Sequence, residues 1–435
     1  MNDLAKVALT QLEVPDYDLG LRGKLVRADK LAPGASANFC TILFGLSLVD
    51  DVTDNSISNA ANGYPDTALL LDESTRVEMP WRGGTEAVIA GLSDGDGHPH
   101  PLCIRGKLSS LVDEYEQLGL SPILGFEYEF WLFEESSSTG RGDLGRLVPT
   151  AHIENAYSLE RVKAVESLAQ EFFDRMEAIG HPVEAFHSEL GPGAFEFALK
   201  PQPALKAADG AARARQHLRA LCAERGMLAS FMAKPFADKP GAGGHIHSSL
   251  LRDGANVFGT DSGELSEEGS RYVAGLLHHL GAVTALFSPY VNSYRRVDPE
   301  MFVTDRPTWA ANDRSAACRL ILDSQDSARV EHRRPGADVS PYLAATALLA
   351  GGLDGLRQAL SLPDAAIASE LGEAVPDNLA DALVRLEQSE LAQRVLGPEF
   401  IEAFVAMRRD ELKSYRTWLD STITDWELER HLQHH

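Results

Sequence analysis

Phe126-Glu127-Tyr128-Glu129-Phe130-Trp131 is the stretch that decides how this chain folds. Alternate side chains of a strand point to opposite faces, so Glu127 and Glu129 share one face while Phe126, Tyr128 and Phe130 share the other. The segment is too apolar for an ordinary solvent-facing strand. Two carboxylates side by side repel unless a cation lies between them. Taken singly, such a segment also fits a half-exposed strand with a wet acidic face. Two further segments repeat the alternation: Gly243-Gly244-His245-Ile246-His247-Ser248 and Arg329-Val330-Glu331-His332-Arg333. Three segments that offer Glu, His and Arg at every second position point to a shared metal and phosphate site.

More carboxylates flank a turn. Glu189 and Glu196 lie on either side of Gly191-Pro192-Gly193, so two strand ends could bring them together. With Glu127, Glu129, His245 and Glu331 the inventory is five carboxylates and an imidazole. Mostly oxygen donors suit Mg²⁺ or Mn²⁺ rather than zinc. Two such ions clamped over a triphosphate would organise phosphoryl transfer. Arg296, Arg314, Arg319, Arg329 and Arg333 supply the fixed planar cations that phosphate and carboxylate recognition favours. Arg314 and Arg319 sit among small residues, Asn312 to Leu320, which favours buried anion binding over solvation at a surface.

Composition bounds the class. The chain has 435 residues, enough for more than one domain, with 44% hydrophobic and 24% charged residues. No apolar run approaches the roughly 20 residues that span a bilayer. The first residues lack the basic-then-apolar pattern of a signal peptide. Cys40, Cys103, Cys222 and Cys318 are scattered and read as reduced, buried thiols. A cytoplasmic protein is expected. The net charge of −24 argues against nucleic acid as a partner. Short apolar runs broken by turn residues over 1 to about 105 predict a small sheet domain with a long polar loop, Asp50 to Asp66. Helices are predicted from Leu108 to Leu118, from Ser158 to Ile179 and from Ala204 to Gly226. From Leu362 onward the chain is helical and polar, with breaks at Pro363, Pro376 and Pro398.

Taken in order, six segments resemble the glutamine synthetase family over nearly the whole chain. They are Gly125 to Phe130, His187-Ser188-Glu189 through Phe195-Glu196, Lys234-Pro235-Phe236 through Gly243 to Ser249, Asn292 to Arg296, Asn312 to Arg319, and Arg329 to Arg333. The resemblance implies an α+β fold. Its parts are an N-terminal beta-grasp domain (1–105) and a catalytic domain (106–435) built on a curved antiparallel sheet surrounded by helices. It also implies a homo-dodecamer of two hexameric rings with active sites at subunit junctions. Carried over by position, Glu129, Glu189 and Glu196 match ligands of one ion, and Glu127, His245 and Glu331 match ligands of another. His247, Ser249 and Arg329 match nucleotide-contacting positions, and Arg314 and Arg319 match phosphate-contacting ones. Arg296, Arg333 and the backbone at Gly241 match the positions that hold glutamate. The implied co-substrate is ATP, with two or more Mg²⁺ or Mn²⁺ ions per subunit.

Departures from the family pattern concern the ammonium side. Pro240 replaces the asparagine that precedes the glycine at Gly241, and Ala194 replaces a glutamine in the turn. The flap position, a proton-accepting glutamate in ammonium-using enzymes, falls on Phe302. Asp298, Glu300 and Asp305 flank it, and Glu300 is the candidate substitute base. The N-terminal aspartate that helps bind ammonium has only Asp50 and Asp51 as candidates. Gly336-Ala337-Asp338 before Pro341, Trp309 ahead of Asn312, and Gly63 to Asp66 ahead of Met79-Pro80-Trp81 resemble the subgroup that joins glutamate to organic amines, the gamma-glutamylpolyamine and gamma-glutamylputrescine synthetase-like enzymes. The expectation is an ATP-dependent ligase of glutamate with a polyamine, ethanolamine or an alkylamine, with Phe302 in the amine pocket and Arg314 stabilising charge in transfer. Alternatives are an ordinary ammonium-using glutamine synthetase, or a catalytically silent structural or regulatory homologue.

Overall fold

The computed structural model describes residues 7–18, 20–31, 37–134, 148–151, 153–365 and 374–432. Two sheets organise them. The first comprises β1 (Leu9–Pro15), β2 (Leu21–Arg27), β3 (Asn38–Cys40), β4 (Asp66–Met79) and β5 (Thr85–Leu92), in the order β2-β1-β5-β4-β3. Its strands are antiparallel except β1 and β5, which run parallel. The polar stretch from Asp50 to Asp66 is the loop that enters β4, as the sequence predicts.

The second sheet is built around β6 (Ser121–Glu134). Its neighbours are β7 (Val183–Ser188), β8 (Ala194–Leu199), β9 (Gln202–Pro203), β10 (Met227–Ser230), β11 (Ile246–Arg252), β12 (Ala255–Asn256), β13 (Trp309–Ala311), β14 (Cys318–Ile321) and β15 (Arg329–His332). The main path is β13-β14-β15-β11-β6-β8-β7, with β9 and β10 also on β6 and β12 on β11. All pairs are antiparallel except the edge pair β13–β14, which is parallel and qualifies the antiparallel expectation. Phe126, Tyr128 and Phe130 are buried on one face of β6 and Glu127 and Glu129 stand half-buried on the other, which is the alternation read from the sequence. The second alternating segment is only partly a strand. β11 begins at Ile246, yet the Glu127 and Glu129 N–H groups still donate to the carbonyls of His245 (3.0 Å) and Gly243 (2.9 Å). The ladder therefore continues irregularly through the glycines.

The helices are α1 (Ile104–Glu116), α2 (Leu159–Ala164), α3 (Glu166–Ala178), α4 (Ala204–Ala223), α5 (Glu267–Phe287), α6 (Pro341–Arg357), α7 (Leu379–Gln388), α8 (Glu390–Leu396), α9 (Pro398–Asp420) and α10 (Asp425–His431), of which α1 and α4 pack on β6. The helix predicted over Ser158 to Ile179 starts at its serine, whose hydroxyl accepts from the Arg161 N–H, but breaks at Val165. That buried β-branched residue takes φ −118° and ψ 17°, so α2 can lie on β7 while α3 turns toward α4. Pro398 opens α9 directly after α8, a break the sequence marks. All four cysteines are free, Cys40 being half-buried. Among the described residues no helix is long and apolar enough to cross a membrane.

Buried ion pairs join the small sheet to the helices. Arg213 of α4 pairs with Glu13 of β1 at 2.8 Å, and Arg105 of α1 bridges Asp72 of β4 (2.7 Å) and Asp209 of α4 (2.8 Å). Arg408 of α9 pairs with Asp18, which also accepts from the Tyr290 hydroxyl at 2.8 Å. A buried charge left without its partner is costly, so these contacts fix how the two sheets meet.

Candidate active site

Strand register brings the polar faces together. Glu129 of β6 lies opposite Glu196 of β8, and Glu196 lies opposite His187 of β7. His247 of β11 and Arg319 of β14 flank Glu331 of β15. The result is a cavity of about 460 Å³ lined by Glu127, Glu129, Glu189, Glu196 and Glu331, by His187 and His245, and by Arg296, Arg314, Arg319 and Arg333. Gly241, Pro240, Met301, Phe302 and Val303 complete one wall. A neighbouring cavity of about 590 Å³ is lined by Gly125, His247, Ser249, Ala328 and Arg329, among others. Glu127 belongs to both walls. The candidate metal, nucleotide and glutamate residues and Phe302 thus all fall in one of the two cavities, whereas Glu300, exposed on the short turn Pro299–Met301, lines neither, and neither do the exposed Asp50 and Asp51.

Two groups of donors stand close enough to share an ion. Glu127, His247 and Glu331 form one and His187, Glu189 and Glu196 the other, with ligand atoms within 4.8 Å of one another in each. His245 lies between the groups: Nδ1 is 3.5 Å from Glu331 Oε1 and 3.9 Å from Glu127 Oε2, and Nε2 is 4.0 Å from Glu129 Oε1. Glu129 Oε2 accepts the Gly243 N–H at 2.8 Å. The sets carried over from the family resemblance share Glu127, Glu331, Glu189 and Glu196 with these groups. His247, which the resemblance gave as a nucleotide contact, and His187, to which it gave no role, are the further members. His187 was legible by the same two-residue alternation, since it precedes Glu189 by two. Tyr157, at the rim, carries no signal in the sequence because tertiary contacts set its backbone.

Glycine makes this closeness possible. A Cβ at Gly243 would lie 2.5 Å from His245 Nε2, 2.9 Å from Arg296 Nη2 and 3.0 Å from Glu129 Oε1. A Cβ at Gly241 would lie 2.6 Å from the Ala233 carbonyl oxygen. Any side chain at either place would push the donors apart.

Electrostatics show what the cluster wants. Burial, then repulsion from Glu129, Glu127 and Glu189, pushes the Glu196 carboxyl up to about 10. Burial and Glu129 raise Glu189 as well. Burial works against Glu127 too, but His247 and His245 hold it well below the usual carboxylate range. Glu331 is lowered in the same way, burial being outweighed by His245 and Arg333. Arg319 Nη1 donates to Glu331 Oε2 at 2.9 Å, and Arg333 Nη1 donates to Oε1. Carboxylates gathered until one of them must carry a proton are a donor set short of cations, and its oxygen-rich chemistry fits Mg²⁺ or Mn²⁺.

The arginines are held for anions. Arg296 is 5% exposed and donates to the carbonyls of Arg334 (3.1 Å) and Arg333 (3.3 Å). Arg333 Nε donates to the Arg314 carbonyl at 2.9 Å, which ties those two together. In the second cavity Arg329 Nε donates to His247 Nδ1 at 3.1 Å. Fixed guanidinium groups beside carboxylates able to hold cations are an arrangement suited to clamping a polyphosphate.

The curled mixed sheet thus gathers carboxylates, imidazoles and arginines into one cavity, a set of groups suited to phosphoryl chemistry. The chain matches the model of the glutamine synthetase catalytic domain over residues 101–431, and it belongs to the glutamine synthetase family. It is 32% identical to a glutamate–isopropylamine ligase of a Pseudomonas species, over 97% of this chain and 94% of that protein. It is 31% identical to type-1 glutamine synthetase 2 of Dictyostelium discoideum, over 99% of this chain and 84% of that protein. A crystal structure described as a novel glutamine synthase homolog superposes with a TM-score of 0.84 at 26% identity, covering 99% of both chains.

Proposed function

We propose that this protein is an ATP-dependent glutamate–amine ligase whose nitrogen donor is an organic amine. A γ-carboxylate oxygen of glutamate attacks the terminal phosphorus of ATP, the bond to ADP breaks, and γ-glutamyl phosphate forms. The amine nitrogen then attacks the carbonyl carbon of γ-glutamyl phosphate, the C–O bond to phosphate breaks, and the nitrogen sheds a proton as the amide forms. In this reading Arg296, Arg333 and the backbone at Gly241 hold glutamate, while Arg314 and Arg319 face the transferring phosphoryl group. His247, Ser249 and Arg329 line the nucleotide cavity. Glu127, His245 and Glu331, and Glu129, Glu189 and Glu196, would hold two Mg²⁺ or Mn²⁺ ions, with His247 and His187 beside them. Bound there, the ions neutralise charge on the triphosphate. Assembly as a dodecamer of two rings is part of the same proposal.

The observation that carries the amine assignment is the flap. Phe302 lines the cavity, half exposed, where an ammonium-using enzyme needs a carboxylate, and Glu300 lies outside the lining. Ammonium is almost wholly protonated at pH 7, and a positioned base typically supplies ~10²–10⁴-fold in rate. The test compares kcat/KM for ammonium and for a panel of organic amines in wild type, Phe302→Glu and Glu300→Ala. The best organic amine should exceed ammonium by at least about tenfold, and Phe302→Glu should narrow that gap. Efficient glutamine synthesis by the wild type that collapses in Glu300→Ala would establish the ammonium-using reading instead. Absence of glutamate-dependent ADP release with any nitrogen donor would establish a silent homologue.

A further inference from the structure

Arg296 ends a single helical turn, Asn292–Arg296, which is too short to hold a direction by itself. A guanidinium fork grips a carboxylate only when it is aimed. Groups outside the turn therefore have to aim it.

Two consecutive side chains of the turn are clamped to two distant segments. Asn292 makes a reciprocal pair with Lys234: Oδ1 accepts the Lys234 N–H at 2.9 Å, and Nδ2 donates to the Lys234 carbonyl at 3.0 Å. Ser293 Oγ accepts the Tyr290 N–H at 3.0 Å and donates to Asp338 Oδ2 at 2.6 Å. Both clamps lead to the backbone around Gly241. The Ala242 N–H donates to the Ala233 carbonyl at 2.8 Å, and the Ala242 carbonyl accepts the Ala337 N–H at 3.0 Å. Gly241 directly precedes Ala242, and a Cβ there would lie 2.6 Å from Arg296 Cγ. Arg296, Gly241 and Asp338 thus belong to one hydrogen-bonded frame.

Asp338 holds its place in that frame against unfavourable terms. Its Oδ1 is buried and has no hydrogen-bond donor among the described residues. Burial raises this carboxyl, with the Ser293 hydroxyl and then Arg296 and Arg215 working the other way. A buried acceptor left unmet destabilises a fold. Room for the oxygen comes from Gly336, where a Cβ would lie 2.4 Å from it. An apolar residue at 338 would avoid the unmet acceptor, but it could not accept from Ser293.

We infer that Asp338 is a positioning residue for the acid substrate: through Ser293 it fixes the turn that carries Arg296, and so aims Arg296 at a glutamate carboxylate beside Gly241. The inference rests on the reading that Arg296 holds glutamate. It adds to that reading a residue that lines neither the catalytic nor the nucleotide cavity. Asp338 acts at a distance, by keeping one end of the frame closed.

The experiment follows ADP release with hydroxylamine as nucleophile, which intercepts an acyl phosphate whichever amine is native. Glutamate and ATP are varied in turn in wild type, Asp338→Ala, Asp338→Asn, Ser293→Ala, Arg296→Lys and the double variant of Asp338→Ala with Arg296→Lys. Asp338→Ala and Ser293→Ala should each raise the glutamate KM at least about tenfold, while the ATP KM moves by less than about twofold. Asparagine still accepts from Ser293, so Asp338→Asn should stay within about threefold of wild type. A residue that acts through Arg296 loses its effect once Arg296 is altered, so Asp338→Ala should add less than about twofold to Arg296→Lys. Ser293→Ala, which deletes one oxygen, decides the matter if Asp338→Ala does not fold. A wild-type glutamate KM in Ser293→Ala and in folded Asp338→Ala, beside a raised one in Arg296→Lys, overturns the inference and leaves the glutamate site standing. So does an equal rise in the KM of both substrates, or full additivity in the double variant. An Arg296→Lys variant with an unmoved glutamate KM overturns the inference and the glutamate assignment together.

Discussion

Replacing Glu196 by glutamine should make the metal-free protein more stable while it weakens metal binding. The Glu196 carboxyl is pushed up to about 10 from an ordinary 4.5, first by burial and then by Glu129, Glu127, Glu189 and Glu331. Between those values the folded protein holds a proton that the unfolded chain has released, so stability falls as pH rises through the window. At pH 7 the span from 4.5, at about 1.4 kcal/mol per pH unit, amounts to about 3 kcal/mol carried by the wild type. Glutamine keeps the shape and has no proton to lose. Chelator-treated wild type and Glu196→Gln should therefore denature alike near pH 5 and diverge steadily toward pH 9, the variant lying higher by a few degrees or more in Tm. Saturating Mg²⁺ should raise the wild type by more than the variant, which keeps only the set of Glu127, His245 and Glu331, because bound cations replace the repulsion that protonation relieves. Wild-type metal binding at pH 7 should also release protons, readable as a pH drop in weak buffer. A variant that follows the wild type at every pH, with and without Mg²⁺, would refute the view that the cluster is held under charge strain for an ion.

Arg333→Lys should raise the glutamate KM by roughly ten- to a hundredfold with the ATP KM little changed, because an ammonium cannot reproduce a planar fork. Steady-state kinetics with each substrate varied in turn decides it; a shift in the ATP KM alone would move Arg333 to the nucleotide. Arg408→Ala should cost about 3–5 kcal/mol in urea unfolding, since it leaves Asp18 buried without its partner. A loss below about 1 kcal/mol would mean that water reaches Asp18 readily.

Much of the catalytic sheet was legible because its chemistry and its geometry share a two-residue period. Glu127 and Glu129 could be put on one face from the alternation alone, and Phe126, Tyr128 and Phe130 went to the core as that alternation requires. The glycines at 241, 243 and 244 obscured the second segment, because close approach to His245, Arg296 and Glu129 forces an irregular path that period counting misses. Helix starts and stops were read from local chemistry, as at Ser158 and Pro398. The break at Val165 was not, because packing against two different partners decides it. Site membership showed the same divide. His187 followed the alternation and could have been found. Tyr157 could not, since its place depends on Ser188 and His187, some thirty residues away. Glu300 shows the opposite failure: it is adjacent in sequence to the wall residues Met301 and Phe302, but the turn that ends in the left-handed backbone of Phe302 puts Phe302 in the lining and leaves Glu300 outside it.

The ion pairs between the small sheet and the helices bear on how such a protein can change over time. Glu13 needs Arg213, Asp72 and Asp209 share Arg105, and Asp18 needs Arg408, an arginine nearly four hundred residues further along the chain. A recombination event that exchanged the first hundred residues for those of a distant cousin would part Glu13 from Arg213, Asp72 from Arg105 and Asp18 from Arg408 at once. Drift at any of these positions is likewise coupled to a second position elsewhere. The two ends of the polypeptide are thus bound to a common inheritance, and the small sheet cannot be traded as a free-standing module.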